Sequence, residues 1–287
     1  MKSESYKCYS LTKKGNMKPI GLIHARMERT DFVLQSLHKL KPEDMNKYVS
    51  HLTDKLSEIV GDYTFEMNVF DWNFIRKDLE ILPNFPQLEK AIFYWSCKTL
   101  KLPDNYKSDQ GEIELVFFDE IKSNERLSYH RVKTFVEIYG EDLGTELYKQ
   151  IVPEVVKALK SKYLGEKPAD PKSVNILVSN KRSIESWCKT GLADFSFHIF
   201  DDYKIVYRFD SCLTPEALKD FKDPDIAYLA SCYIGDVPEW NKDKIIHLRR
   251  TQTLHHAEFC DEMYWNNLVH PDAEQPSLEF TENMGKE

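Results

Sequence analysis

Apolar positions along the chain fall into two regimes. Between residues 42 and 162 they recur mainly at three- and four-residue steps, the period of a helix with one buried face. Met45, Tyr48, Val49, Leu52, Leu56 and Ile59 form such a stripe, opened by Pro42 and closed by Gly61. A second helix is predicted at 87–100, with Leu88, Ala91, Ile92 and Trp95 on one side. Two more, at 124–139 and 142–162, part at Gly140. Leu143, Leu147, Ile151, Val155 and Leu159 mark the later one, and Pro153 inside it is expected to kink it or end its first half, because proline removes a backbone donor. Alternating runs at 63–69 and 113–118 read as strands. Residues 1–41 read as irregular and basic.

From residue 174 the alternation of strands takes over. A strand is predicted at 174–178 and a short helix at 184–190, closed by Gly191. Phe195, Phe197 and Ile199 alternate with polar or outward positions, as do Tyr203, Ile205, Tyr207 and Phe209. With Asp201-Asp202 as the turn, the two runs predict a hairpin. Helices at 215–221 and 225–232 follow, then strands at 245–254 and 259–265. Residues 270–287 read as a loosely packed tail. Adjacent strands mixed with helices, without a regular βαβ alternation, predict an α+β fold with a largely antiparallel sheet packed with helices, preceded by a helix-rich N-terminal region. The expected division is 1–119, 120–266 and a polar tail at 267–287.

Composition narrows the function classes. The 287 residues are 41% apolar and 13% aromatic, enough for a sizeable core. A net charge of −8 argues against a nucleic-acid partner, whose affinity comes from neutralised phosphates. Apolar runs such as 91–95 are far too short for a membrane span, and Met1-Lys2-Ser3-Glu4-Ser5 is not followed by the apolar stretch of a secretory signal. A soluble, cytoplasmic protein with a small-molecule substrate is expected; nothing here sets an oligomeric state. Six cysteines without close spacing read as thiols, with Cys8, Cys97 and Cys188 as small buried apolar side chains.

The chemistry collects in the last third. Cys212 ends a strand-like run, Cys232 precedes Asp236 by four residues, and Cys260-Asp261 follows the run 245–256. That run carries Arg249-Arg250-Thr251-Gln252-Thr253-Leu254 and ends in His255-His256. No phosphate-binding glycine loop, His-Glu-x-x-His or Gly-x-Ser-x-Gly motif is present.

These three elements resemble the L-2-amino-thiazoline-4-carboxylic acid hydrolase family over about 120–266, most closely over 204–264. His256, Leu213 and Glu262 depart from its pattern, where a glycine, a proline and an aromatic are usual. The same ending is distantly similar to vinyl-reductase-type ligand-binding domains. The hydrolase resemblance implies cleavage of a carbon–nitrogen bond in a small cyclic amidine, without a cofactor. A thiolate adds to the electrophilic carbon and an acid protonates the leaving nitrogen. Cys260 is the first candidate nucleophile and Cys232 the second. His255 or His256 would act as base and acid, with Asp236 or Asp261 orienting the imidazole. Arg249 or Arg250 would hold a substrate carboxylate, though an extended strand turns only one of them to a given side. Cys212, His198 and Tyr264 complete the candidate substrate contacts, with His198 also read as an ordinary sheet histidine.

One alternative is a natural-product biosynthetic enzyme of the same fold that carries out a non-hydrolytic cyclisation or C–N or C–S bond formation, and two more use the same residues. Cys212, Cys232 and Cys260 with one histidine make the donor set of a tetrahedral zinc site, although no two of them are close in sequence. A non-catalytic binding domain would instead enclose an apolar pocket lined by Phe195, Phe197, Tyr207 and Tyr264.

Overall fold

The computed structural model describes residues 2–163, 165 and 168–286. The chain divides into two compact units, 14–158 and 1–13 with 159–287. In chain order, strand β1 (Lys2–Lys7) belongs to the second unit. The first unit then begins with β2 (Lys14–Met17) and helix α1 (Pro19–Leu40). It continues through α2 (Met45–Val60), α3 (Trp72–Ile75), α4 (Pro86–Thr99), β3 (Ile113–Val116), α5 (Phe117–Tyr139) and α6 (Glu141–Tyr163).

Residues 2–41 include two strands and a 22-residue helix. The helix escapes a periodicity reading because it is buried nearly all round and carries polar residues inside. Ile23, Met27, Leu34 and Leu37 are buried beside Arg26, Glu28, Thr30 and Asp31. Arg26 is satisfied by donating to Ser123 Oγ and to the carbonyls of Leu22 and Glu120. Asp31 accepts the backbone N–H groups of Glu80, Ile81 and Leu82. Residues 63–69 form no strand. Phe65 and Phe70 turn instead into an aromatic cluster with Phe93 and Tyr106, and no neighbouring strand pairs with this segment.

The helices expected at 42–61, 87–100 and 142–162 are present with small shifts of their ends, whereas the one expected at 124–139 begins seven residues earlier, at Phe117, and leaves the strand expected at 113–118 only Ile113–Val116. α6 runs on past Pro153, held by the buried Ile151, Val152 and Val156 around it. At the α5–α6 corner a Cβ on Gly144 would lie 2.6 Å from Phe135 O, so the two helices approach there only because the residue is glycine. The unit boundary falls within α6 rather than at 119/120. A cut at 119/120 would pass through α5, whose Leu127, Val132 and Phe135 are buried and which packs on α1, α2 and α4.

The second unit holds α7 (Ile176–Thr190), β4 (Ala193–Asp201), β5 (Lys204–Cys212), α8 (Leu213–Leu218) and α9 (Pro224–Ala230). After these come α10 (Pro238–Asn241), β6 (Ile246–Arg249), β7 (Cys260–Asn266) and α11 (Leu278–Asn283). Five strands form an antiparallel sheet in the order β1-β4-β5-β7-β6. The fold is α+β. The predicted β4–β5 hairpin is present.

Three segments of this unit differ from the sequence reading, each for a local reason. The run at 174–178 is not a strand, because the Asn175 side chain accepts the Leu177 N–H and starts α7. The run at 245–254 stays a strand only to Arg249. Beyond it the Asp261 carboxylate takes the N–H groups of Thr251 and Gln252 out of the ladder. The tail is packed: α11 is capped by Ser277, and Met284 joins Val206, Met263 and Trp265 in the core on one sheet face. Cys8 and Cys188, read above as separate thiols, are joined in a disulfide. β1–β4 pairing and the Ser10 N–H to Gly191 carbonyl bond bring these two positions together across 180 residues, a distance no local spacing reveals. Among the described residues no helix is long and apolar enough to cross a membrane.

Candidate functional site

Side chains alternate across a strand, so residues two apart share a face. On β7 this puts Cys260, Glu262 and Tyr264 together, opposite Phe209, Tyr207 and Ile205 of β5. Asp261 and Met263 point to the other side. On β6 Leu248 shares the face of Tyr264, and Arg250, just past the strand, continues that side.

Arg250 organises the site. Its Nη1 lies 3.3 Å from Glu262 Oε1, and its Nε lies 2.9 Å from Asp236 Oδ1. The second contact is purely ionic, since the Nε–H is not aimed at the oxygen. Tyr264 donates its hydroxyl to Glu262 Oε2 at 2.6 Å, and Tyr228 donates to Asp236 Oδ2 at 2.8 Å. The result is a continuous chain, Tyr264–Glu262–Arg250–Asp236–Tyr228. Burial works against the Arg250 charge, but Glu262 and Asp236 outweigh it and hold the guanidinium above its ordinary pKa. Burial pushes Asp236 up, against the opposing pull of Arg250 and Tyr228.

The three thiols lie close enough to this chain and to one another to share its field. Burial raises Cys260 well above an ordinary thiol, Glu262 adds to the rise, and Arg250 opposes it. Cys212 is pushed up to about 12, again chiefly by burial, with a contribution from Cys232. Cys260 and Cys212 are therefore thiols at neutral pH, not thiolates. Cys260 Sγ has a long contact, 3.9 Å, to the Asp261 carbonyl.

The two histidines have hydrogen-bond partners other than the thiols. His255 Nε2 is 2.9 Å from Ser231 Oγ, and burial, then His256 and Arg250, brings its pKa down to about 4. It should stay neutral in an NMR pH titration from 8 to 5, where an exposed histidine titrates. The folded pKa lies below the unfolded value, so the stability His255 contributes is present above about pH 6.5 and is lost as the pH falls towards 4. His256 pairs with Asp225 at 2.9 Å at the surface. Among the described residues no group of three or more His, Cys, Asp or Glu side chains is placed to hold a metal ion.

Other candidates take structural positions. Asp261 is fully buried and orients no imidazole. It accepts Thr251 N–H, Thr251 Oγ1–H, Gln252 N–H and Gln275 Nε2–H, which anchors the segment that carries Arg250. Arg249 stacks over Trp265 and donates to the Ala273 carbonyl, on the sheet face away from the thiols. His198 bonds Ser3 Oγ and meets the rings of Phe200 and Phe280, as a sheet histidine. Phe195, Phe197 and Tyr207 pack in a core cluster with Trp187.

An open cleft of about 540 Å³ lies along the 248–257 segment. Tyr228, Asp236, Arg250, Thr251, Gln252 and His256 are on its wall, while Cys232, Cys260 and Glu262 are not. Cys212 borders a separate pocket of about 240 Å³ with Tyr9 and Glu216. Glu262, Tyr228 and Gly235 were not among the sequence candidates. The two-residue period linking Glu262 to Cys260 was the one signal available for them. Gly235 gives Arg250 its seat: a Cβ there would lie 2.3 Å from Arg250 Nη2. Gly235→Ala should push the guanidinium off its carboxylates, and measured urea stability should fall by about 1–3 kcal/mol.

No family model, no curated protein and no solved structure matches this chain.

Proposed function

We propose that this chain is a cysteine-dependent hydrolase that opens a carbon–nitrogen bond of a small cyclic amidine or related nitrogen heterocycle. The substrate class is the one suggested by the resemblance to L-2-amino-thiazoline-4-carboxylic acid hydrolases. The supporting observation is the gathering of three thiols around the Tyr264–Glu262–Arg250–Asp236–Tyr228 chain. Such a substrate is a zwitterion. Its carboxylate suits the Arg250 guanidinium on the cleft wall, and its amidinium suits Asp236. When Arg250 turns to the carboxylate it releases Glu262, which lies behind it on the Cys260 face. Glu262 then takes the Cys260 proton, the sulfur adds to the amidine carbon, and a tyrosine hydroxyl of the chain protonates the leaving nitrogen. Water releases the product. Glu262 replaces a histidine as base in this scheme, because His255 is held as a weakly basic neutral ring.

Mass-spectrometric turnover of L-2-amino-thiazoline-4-carboxylate, read as the gain of one water, tests the reading. Cys260→Ser should abolish turnover in a folded protein, and Glu262→Gln should slow it about 10²–10⁴-fold. Full turnover by Cys260→Ser would sink the assignment.

The buried, protonated state of Cys260 and Cys212 favours a second reading, a binding domain without catalysis. Selective alkylation of one thiol near neutral pH in the presence of substrate speaks for the enzyme. Equal inertness of all three, with no turnover, speaks for the binding domain.

A further inference from the structure

We propose that Ser3 and His198 form a second catalytic pair in the same unit, one that hydrolyses small uncharged or cationic carboxylic esters through an acyl-serine. Strand register brings the two together. Ser3 stands directly opposite His198 in the β1–β4 pairing, and Ser5 opposite Ser196. Opposed side chains of an antiparallel pair lie within reach of each other. The Ser3 hydroxyl is 2.8 Å from His198 Nδ1, and Ser5 Oγ is 2.9 Å from Ser196 Oγ. This row lies on the sheet face opposite Cys260, because Phe195, Phe197 and Cys260 share one face while Phe200 packs on the other. α11 covers β5 on that second face, and Met284 is held in its core. The β1–β4 part is left as a groove of about 920 Å³, lined by Ser3, Ser5, His198, Phe280 and Asn283. Gly285 borders it closely: a Cβ there would lie 2.3 Å from Ser196 Oγ and 2.6 Å from Ser5 Oγ. The groove shares no lining residue with the cleft at Arg250.

The pair has the parts of a serine nucleophile and its base. Ser3 is exposed, so an ester carbonyl can reach its oxygen. His198 is half-buried and meets the Phe200 and Phe280 rings edge-on, at 4.8 and 5.2 Å between centres. Those rings hold the imidazole plane, a task that a carboxylate performs in a triad. Burial brings the His198 pKa below its ordinary value, which keeps the ring neutral and able to accept a proton at pH 7. With the ring proton on Nε2, Nδ1 accepts the Ser3 hydroxyl. The Ser3 oxygen attacks the acyl carbon as its proton passes to Nδ1. The bond to the leaving alcohol breaks, and Nδ1 gives that alcohol the proton. Water then adds to the acyl-serine by the same route and releases the carboxylic acid. The sum is ester and water to acid and alcohol, with no oxidant or reductant. Phe280 and Met284 offer the acyl chain an apolar surface. Glu4 and Glu279 are the charged residues along the groove, and among the described residues no lysine or arginine lines it, so an anionic ester is disfavoured. The C–N hydrolysis proposed above uses none of these groups.

A fluorophosphonate tests the pair on the full-length protein, because an activated serine displaces its fluoride and an ordinary serine does not. Peptide mapping should place the phosphonyl adduct on Ser3, and Ser3→Ala should remove it. His198→Gln, which keeps a polar side chain but no base, should slow labelling about 10²-fold. His270→Gln, at a surface histidine paired with Asp201, should leave the rate unchanged. Far-ultraviolet circular dichroism checks that each variant is folded. p-Nitrophenyl butyrate should be hydrolysed with a component that Ser3→Ala removes, and the anionic p-nitrophenyl hydrogen succinate should react more slowly. No adduct on Ser3, or one that forms as fast in His198→Gln, would overturn the site. Equal butyrate turnover by the native protein and Ser3→Ala would overturn ester hydrolysis. Equal rates for the two esters would overturn the charge preference.

Discussion

Asp261→Ala is expected to lower the free energy of unfolding by about 3–5 kcal/mol, measured by urea denaturation. The carboxylate is fully buried and accepts four hydrogen bonds, from Thr251 N and Oγ1, Gln252 N and Gln275 Nε2. Alanine removes the shared acceptor of all four donors from a fully buried position, and a donor left there without a partner costs more than a typical bond contributes. Asp261→Asn keeps the shape and one acceptor oxygen, so its loss should be smaller. The same substitution has a local signature. The amides of Thr251 and Gln252 should exchange with solvent much faster in the alanine variant, because the carboxylate is their bonded partner. A loss below about 1 kcal/mol, with those amides still protected, would show that the anchor is not this carboxylate. The functional consequence follows from position: the anchored segment begins at Arg250, so loosening it displaces the guanidinium.

Arg250→Met should cost a similar amount, about 3–5 kcal/mol at neutral pH, because it strands two partly buried carboxylates. The Asp236 and Glu262 side chains are only 20% and 15% exposed, so water cannot replace the lost partner cheaply. The pH dependence gives the sharper test. The folded-state pKa of Asp236 is already raised by burial, and Arg250 is the main force opposing that rise. Without Arg250 it rises further above the unfolded value. A carboxyl with a raised folded pKa binds its proton more tightly in the folded state. It therefore contributes stability below the ordinary carboxylate range and loses it as the pH climbs through the raised value. The variant should regain stability relative to the native protein as the pH is lowered from 7 towards 4, seen in urea midpoints at each pH. A constant difference across that window would mean that the carboxylates are not what the guanidinium neutralises. Removal of Arg250 should also abolish turnover of a carboxylate-bearing substrate.

The long helices α2, α4 and α6 and the later turns of α5 were legible because each buries a stripe at three- and four-residue steps that survives in the sequence. α1 was not, because Arg26, Glu28, Thr30 and Asp31 are buried among its apolar residues and each needs a partner far along the chain. The β4–β5 hairpin was legible from two alternating runs and a two-residue turn. β6 looked longer than it is, since Thr251 and Gln252 have strand-like neighbours but give their amide protons to Asp261 instead of to a strand.

The candidate site divides in the same way. Local pattern alone determined the α+β class, the arginine pair turned to opposite faces, and the concentration of thiols, imidazoles and carboxylates in the last third. Only the tertiary structure decided which of those groups meet. Glu262 pairs with Arg250 and Asp236 joins them from a different loop, while Asp261, one residue away on β7, faces the other side and serves as an anchor. His255 and His256 turn to Ser231 and Asp225, and Cys8 finds Cys188. The physical reason is range. Periodicity and capping are set by neighbours a few residues apart, whereas ion pairs, burial and disulfides depend on which distant segments the sheet brings into contact.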